Sequence, residues 1–192
     1  GLRWKQTAKR QPFLAPRGKG YRDTHMVALV SAPIEVDDEL WFYVGGSACH
    51  HDWWLKGLGE GMDHPEANDP TLARFSLELA TLRKDGYAGL YANSYRQGIV
   101  TTQSMMSQGT KLVINARCGS QGMIRVEVTD ENNETIGSCS KENCDAFTGD
   151  SVSHIVSWKE DPSIPVQSWR RLHFYLQDAE LFSFHFADSQ QQ

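Results

Sequence analysis

No stretch of the chain reaches the roughly 20 consecutive apolar residues that a membrane-spanning helix needs, and no run of Lys or Arg is longer than two. The first absence removes a transmembrane helix, so no membrane is expected as partner. The second, with a formal net charge of −5, leaves no basic stripe to neutralise phosphates, so nucleic acid is not an expected partner either. GxSxG, HExxH and P-loop patterns are also missing, and with them the shortest routes to a serine hydrolase, a zinc protease or a nucleotide site. Ser151, Ser153 and His154 lie close in sequence. Successive strand residues diverge, however, and no orienting acid follows, so nucleophilic catalysis is not expected there.

Cysteine is scarce, with four residues in 192: Cys49, Cys118, Cys139 and Cys144. Cys139 and Cys144 bracket a short polar loop and either close a small disulfide ring or remain two reduced thiols; the spacing leaves both open. One CxxxxC does not make a zinc site, which needs a second pair or added histidines. No internal repeat recurs at a fixed period. The first residues, Gly1-Leu2-Arg3-Trp4, lack the apolar segment of a signal peptide and no Met precedes them. The chain is therefore expected to begin inside a longer protein.

What is present reads as β-structure. Apolar content of 40% with 22% charged residues is ordinary for a globular protein. From Thr81 to Asp188, short segments mix β-branched and aromatic residues with polar neighbours: Gly86–Ala92, Gly98–Gln103, Thr110–Ala116, Gly122–Thr129, Ser151–Trp158 and Trp169–Gln177. Gly, Asn, Asp and Pro punctuate them, which predicts an antiparallel β-sandwich or jelly roll. Upstream, His25–Ser31 and Glu39–Gly45 read as two strands with Asp37-Asp38 at the hairpin tip. Two strands alone are marginal, so this hairpin must pack on something, and its exposed edges invite pairing with another copy of the chain. Ser47–Thr71 is loop-like. Thr71–Leu82 fits a helical stripe behind an Asp69-Pro70 cap, but Phe75, Leu77 and Leu79 fit a strand, which is the expectation. The expected division is a hairpin and loop module over 1–70, a β-sandwich over 71–188 and a disordered tail over 189–192. The expected core is Leu82, Leu90, Ile99, Leu112, Ile114, Ile124, Val126, Val128, Val156, Trp158, Leu172, Phe174, Leu176, Phe182, Phe184 and Phe186.

The polar clusters were weighed for chemistry. His50-His51-Asp52 offers imidazole and carboxylate ligands, but adjacent strand histidines point apart, and a solvated loop beside two Trp residues is the expectation. Asp130-Glu131-Asn132-Asn133-Glu134, with Asp145 and Asp150, is rich in oxygen and would suit calcium. Asp and Asn dominate β-turns for backbone reasons alone, so an ordinary turn is expected there. No cofactor is otherwise implied. Trp53 and Trp54 sit in polar, Gly-rich surroundings and are read as an exposed platform on which a sugar ring could stack, whereas Trp41 is read as core.

Thr81–Tyr87, Lys111–Asn115, Ile124–Asp130, Gly149-Asp150, Val156–Trp158 and Ala179–Phe184 together resemble the C-terminal β-sandwich that follows the five-bladed propeller of certain bacterial glycoside-hydrolase-like proteins, relatives of the invertase and levanase type. The N-terminal part resembles their last propeller blade, with an Arg-Gly loop, an aromatic-x-Asp step and the strand Leu40–Gly46. The resemblance implies a concanavalin-like or jelly-roll sandwich preceded by a blade-like hairpin, a carbohydrate-associated role, an oligosaccharide or polysaccharide partner, and an extracellular or periplasmic setting. It also implies that most blades carrying the catalytic carboxylates are absent, so the chain is expected to be non-catalytic alone. Tyr21-Arg22-Asp23 is similar to the family's Arg-Asp-Pro motif, but Thr24 replaces the Pro, so Asp23 takes no catalytic role. The candidate ligand-binding residues are Trp53, Trp54, Asp23 and His25. The alternatives are a structural or oligomerisation module without a small ligand, and a metal-dependent fragment using His50, His51 and Asp52.

Overall fold

The computed structural model describes residues 10–51, 65, 69–106, 109–165 and 169–188. It is all-β: two antiparallel sheets, with helix confined to short turns such as Pro70–Leu72. The strands are β1 (Met26–Leu29), β2 (Ile34–Val36), β3 (Glu39–Ser47), β4 (Phe75–Arg83), β5 (Leu90–Ala92), β6 (Gly98–Thr101), β7 (Lys111–Thr129), β8 (Asp150–Ile155) and β9 (Arg171–Ala187). The chain divides into two compact units, 1–84 and 85–192.

In the first unit β3 is central. β1 and β2 share one of its edges end to end, and β4 pairs along the whole of the other, from Glu39 opposite Arg83 to Ser47 opposite Phe75. The strand at Phe75–Arg83, expected to open the sandwich, is thus the partner of β3. Asp37 has φ +50° at the two-residue tip between Val36 and Glu39, where Asp tolerates the left-handed region. The helical signal at Asp69-Pro70 is spent in one turn, capped by an Asp69 Oδ1 that accepts from the Thr71 amide at 3.0 Å.

The second unit is built on two long strands. β9 is flanked by β7 on one side and by the collinear pair β5 and β6 on the other, and β8 pairs the start of β7. The two strands expected at Thr110–Ala116 and Gly122–Thr129 are one strand interrupted by a bulge. Cys118 lies opposite Ala179 and Met123 opposite Gln177, so residues 119–122 of β7 face Asp178 alone. A Cβ on Gly119 or Gly122 would overlap Asp178, the former its side chain and the latter its carbonyl. Only glycine allows that approach.

One face of this sheet carries Leu112, Ile114, Ile124, Val126, Val128, Leu172, Phe174 and Leu176, all buried as expected. Ile136, Cys139, Cys144, Phe147, Val156, Trp158 and Ile164, from the segment between β7 and β9, close over it. That segment also saturates the outer edge of β7 beyond the reach of β8. Ile124 exchanges backbone bonds with Phe147, the Val126 amide donates to Cys144 Sγ at 3.1 Å, Trp158 Nε1 donates to the Val126 carbonyl at 2.9 Å, and Val128 bonds Cys139 and Ile136. Two core expectations fail. Leu90 and Ile99 are exposed, because β5 and β6 are edge segments: Ile99 lies opposite Tyr175 on the outer face, and Leu90 lines the open end of the core. Phe182 and Leu82 are half-buried, Leu82 in the first unit. All four cysteines are thiols. Burial first, and neighbouring negative groups second, push Cys139 up to about 11; burial does the same for Cys144, also to about 11.

Gly122→Ala should cost about 1–3 kcal/mol, the range for overpacking, read as a fall in the denaturant midpoint. Gly18→Ala, where φ is +90° but a Cβ meets nothing within 4 Å, should cost only the backbone strain of a left-handed residue, about 1 kcal/mol; an equal or smaller loss at Gly122 would show that the bulge can yield.

Candidate functional site

Both neighbours of β9 leave the regular ladder at the same point. Opposite the 119–122 bulge, the edge strand is interrupted between Ala92, which faces Ala179, and Gly98, which faces Leu176. The five residues Asn93-Ser94-Tyr95-Arg96-Gln97 are extruded there. Gly98 is needed to close the loop, since a Cβ on it would stand 2.8 Å from that of Ala92.

The loop is pinned from within and from below. Asn93 Oδ1 accepts from the amides of Tyr95 and Arg96, each at 3.1 Å, an Asx turn of the kind Asn favours. The Asp178 amide donates to the Asn93 carbonyl at 3.2 Å, and Gln177 Nε2 donates to the Ser94 carbonyl. Tyr95 is held out on this frame with 95% of its surface exposed, and Tyr91 with 65%. Tyr91, Asn93, Arg96, Gln97 and Ile99 line an open cleft of about 430 Å³.

Its polar groups are set by their neighbours. Tyr91 Oη donates to Asp178 Oδ1 at 3.3 Å. Desolvation first, and the Asp178 charge second, push the Tyr91 phenol up, so it stays a donor at neutral pH. Lys141 Nζ donates to Gln97 Oε1 at 3.2 Å and sits 4.2 Å above the Tyr175 ring. Tyr175 in turn donates to Glu127 Oε2 at 2.9 Å. Burial first, then Glu127, pushes its phenol up to about 12. The arrangement combines exposed aromatic faces with amide, guanidinium and phenol groups. It can stack on a flat, hydroxylated ring and hydrogen-bond around it.

The residues singled out in the sequence lie elsewhere. Trp53, Trp54 and Asp52 are outside the described residues. Asp23 is buried over Gly46, where a Cβ would stand 2.7 Å from that of Asp23. Its carboxylate takes Arg17 Nε at 3.1 and 2.9 Å, and Arg17 Nη2 reaches Glu78. His25 is exposed, with Nδ1 2.9 Å from the Ala48 carbonyl and its ring centroid 4.4 Å from that of His50, the planes inclined at 46°. Asp23 and His25 therefore serve different contacts. Among the described residues no group of three metal-ligating side chains gathers. Asp130 spends its Oδ1 on the amides of Asn132 and Glu134, at 2.8 and 2.9 Å, as the turn reading expects. The His154 ring packs against Phe147, centroids 4.4 Å apart and planes inclined at 40°.

Sequence reading passed over Tyr91 and Tyr95. The signal was there: a Tyr inside a five-residue polar connector between two strands has no core to enter. Comparison with family models, with curated proteins and with solved structures finds no match to the chain.

The Arg17 guanidinium, hydrogen-bonded to the Asp23 carboxylate, holds it below the usual range for a carboxyl group. A carboxylate with a depressed folded value stabilises above its unfolded value, about 3.9, and loses that contribution as pH falls through the folded one. Wild type should therefore lose stability below about pH 4 more steeply than Asp23→Asn, read as thermal midpoints across an acid titration. Parallel curves would show that Asp23 is not coupled to folding.

Proposed function

We propose that the chain is an ancillary, carbohydrate-associated module, non-catalytic by itself, and that it contacts glycan through the cleft lined by Tyr91 and through the exposed Tyr95 ring of the 93–97 loop. One observation carries the reading: Tyr95 and Tyr91 present exposed rings on a backbone already fixed by Asn93 and β9. Rings presented without loss of loop freedom bind with less entropic penalty, which is what a lectin-like surface needs. Amide and guanidinium groups at Asn93, Gln97 and Arg96 suit the vicinal hydroxyls of a sugar. A non-catalytic role is supported by Asp23, whose pairing with Arg17 favours the charged carboxylate. A general acid needs the opposite shift.

The finer architecture belongs to the same proposal. The irregular line at Asp178 divides β7 and β9 into halves that contribute to one core cluster. That favours a β-sandwich or jelly-roll arrangement for the second unit, and with it the likeness to the sandwich of glycoside-hydrolase-like proteins.

The test is a thermal-shift panel of neutral and acidic oligosaccharides, followed by titration of any hit. A ligand at 100 times its Kd stabilises by about 2.7 kcal/mol. Tyr95→Ala, which removes no buried surface, should leave the unliganded midpoint unchanged and weaken binding about 10-fold or more, roughly 1.4 kcal/mol. A flat panel, or a hit indifferent to both Tyr95→Ala and Tyr91→Ala, would overturn the assignment.

A further inference from the structure

β4 is patterned the wrong way round for a strand covering its own core. Its residues Ser76, Glu78 and Ala80 face inward, opposite Gly46, Val44 and Phe42 of β3. Its apolar residues face out: Phe75 is 55% exposed, Leu77 69% and Leu79 47%. The neighbouring strands extend the same face. Tyr43 lies opposite Leu79, Ile34 lies opposite Trp41, and Val30 donates its amide to the Tyr43 carbonyl at 2.9 Å. Gly45, opposite Leu77, adds no side chain, and Val30 Cγ2 lies 3.8 Å from where its Cβ would stand.

Alternation with a period of two fixes which face each residue takes, so this is a continuous apolar surface and not a scatter of single side chains. An aromatic side chain buries about 150–250 Å². Six large side chains roughly half exposed therefore offer on the order of 500 Å², and two such patches reach the about 1,000 Å² that marks a specific interface.

We propose that this face of the first unit, centred on Leu77 and Leu79, packs on the same face of a second copy of the chain to form a two-fold dimer. The area fits a pair of such patches. None of the six side chains is charged, so the surface gives a basic or acidic partner nothing to select, whereas an isologous pairing matches apolar surface to apolar surface by symmetry. Two sheet faces packed about 10 Å apart interdigitate Leu77, Leu79 and Phe75 from both sides. The sequence pointed to hairpin edges as the sticking surface. Among the described residues β3 pairs on both edges while β1, β2 and β4 each pair on one, and the proposed contact lies on the apolar face of β4.

Sedimentation or light scattering of the full chain between about 1 and 100 µM, the range that brackets a micromolar Kd, should show a dimer that dissociates on dilution. Leu77→Glu should leave the far-UV spectrum unchanged and weaken association about 100-fold or more, by burying unpaired carboxylates. Leu79→Thr, a β-former that only removes apolar surface, should weaken it less and guards against a folding defect in the first variant. A wild-type monomer at the top concentration overturns the proposal, and so does a dimer that survives Leu77→Glu.

Discussion

One residue breaks the longest sheet of this protein, and most of the second unit is arranged around that break. Asp178 takes φ +42° in the middle of β9, a region that costs an L-residue roughly 1–2 kcal/mol. Two interactions that exist only because of the break offset it. The Asp178 amide reaches the Asn93 carbonyl, and its carboxylate accepts from Tyr91. At about 0.5–1.5 kcal/mol for each hydrogen bond, the sum is near balance, so the kink is retained at little net cost. Its consequences are large. On one side it forces the 119–122 bulge, and on the other it extrudes the 93–97 loop, which is how an edge strand comes to display two tyrosines.

The second dependency is at the free edge of β7. A sheet edge left in solvent is a template for aggregation, and past Ile114 β8 offers only a bulged pairing that ends at Arg117. The chain covers the remaining edge without another long strand. Backbone bonds from Phe147, Cys139 and Ile136, a thiol acceptor from Cys144 and an indole donor from Trp158 fill the positions in turn. The same side chains supply the cover of the core. Polar satisfaction and apolar burial are therefore the same event, which is why Cys139 and Cys144 are held as buried, high-pKa thiols.

Much of this was legible in the sequence, and the exceptions have physical causes. Period-two alternation identified the β-class and the core residues of β7 and β9, because both strands bury one face. The break at residues 119–122 was visible as Gly119 and Gly122, but glycines flanking polar residues read equally as a turn. Only the pairing of both halves with β9, a long-range fact, makes it a bulge. Leu90 and Ile99 were read as core because alternation reports faces, not whether a face is covered. Asp23 was noticed as a motif fragment; its burial depends on the missing side chain at Gly46, 23 residues away, which no local pattern reports. Tyr95 stands alone in a polar connector, and its exposure follows from the pairing of Ala92 and Gly98 with β9, a long-range fact that the local pattern does not carry.

Among the described residues the two units differ in how much apolar surface they bury, and that difference bears on the outward face of β4. In the first unit the fully buried apolar side chains among the described residues are Phe42, Val44 and Cys49, beside the ion-paired Asp23. Burial of a large apolar side chain contributes about 1.5–3 kcal/mol, while an ordered backbone residue costs about 1–2 kcal/mol. A buried ion pair adds little net stability, since desolvation cancels most of its attraction. Among the described residues, the inward face of the sheet therefore buries too few apolar side chains to balance the ordering of nine-residue β3 and β4 and their neighbours. The other face carries further apolar surface, at Phe75, Leu77, Leu79, Tyr43, Ile34 and Val30. Removing that surface from water would add to the stability of this unit, and the proposed face-to-face packing of two copies would supply that contact without using the edges of β1 and β2.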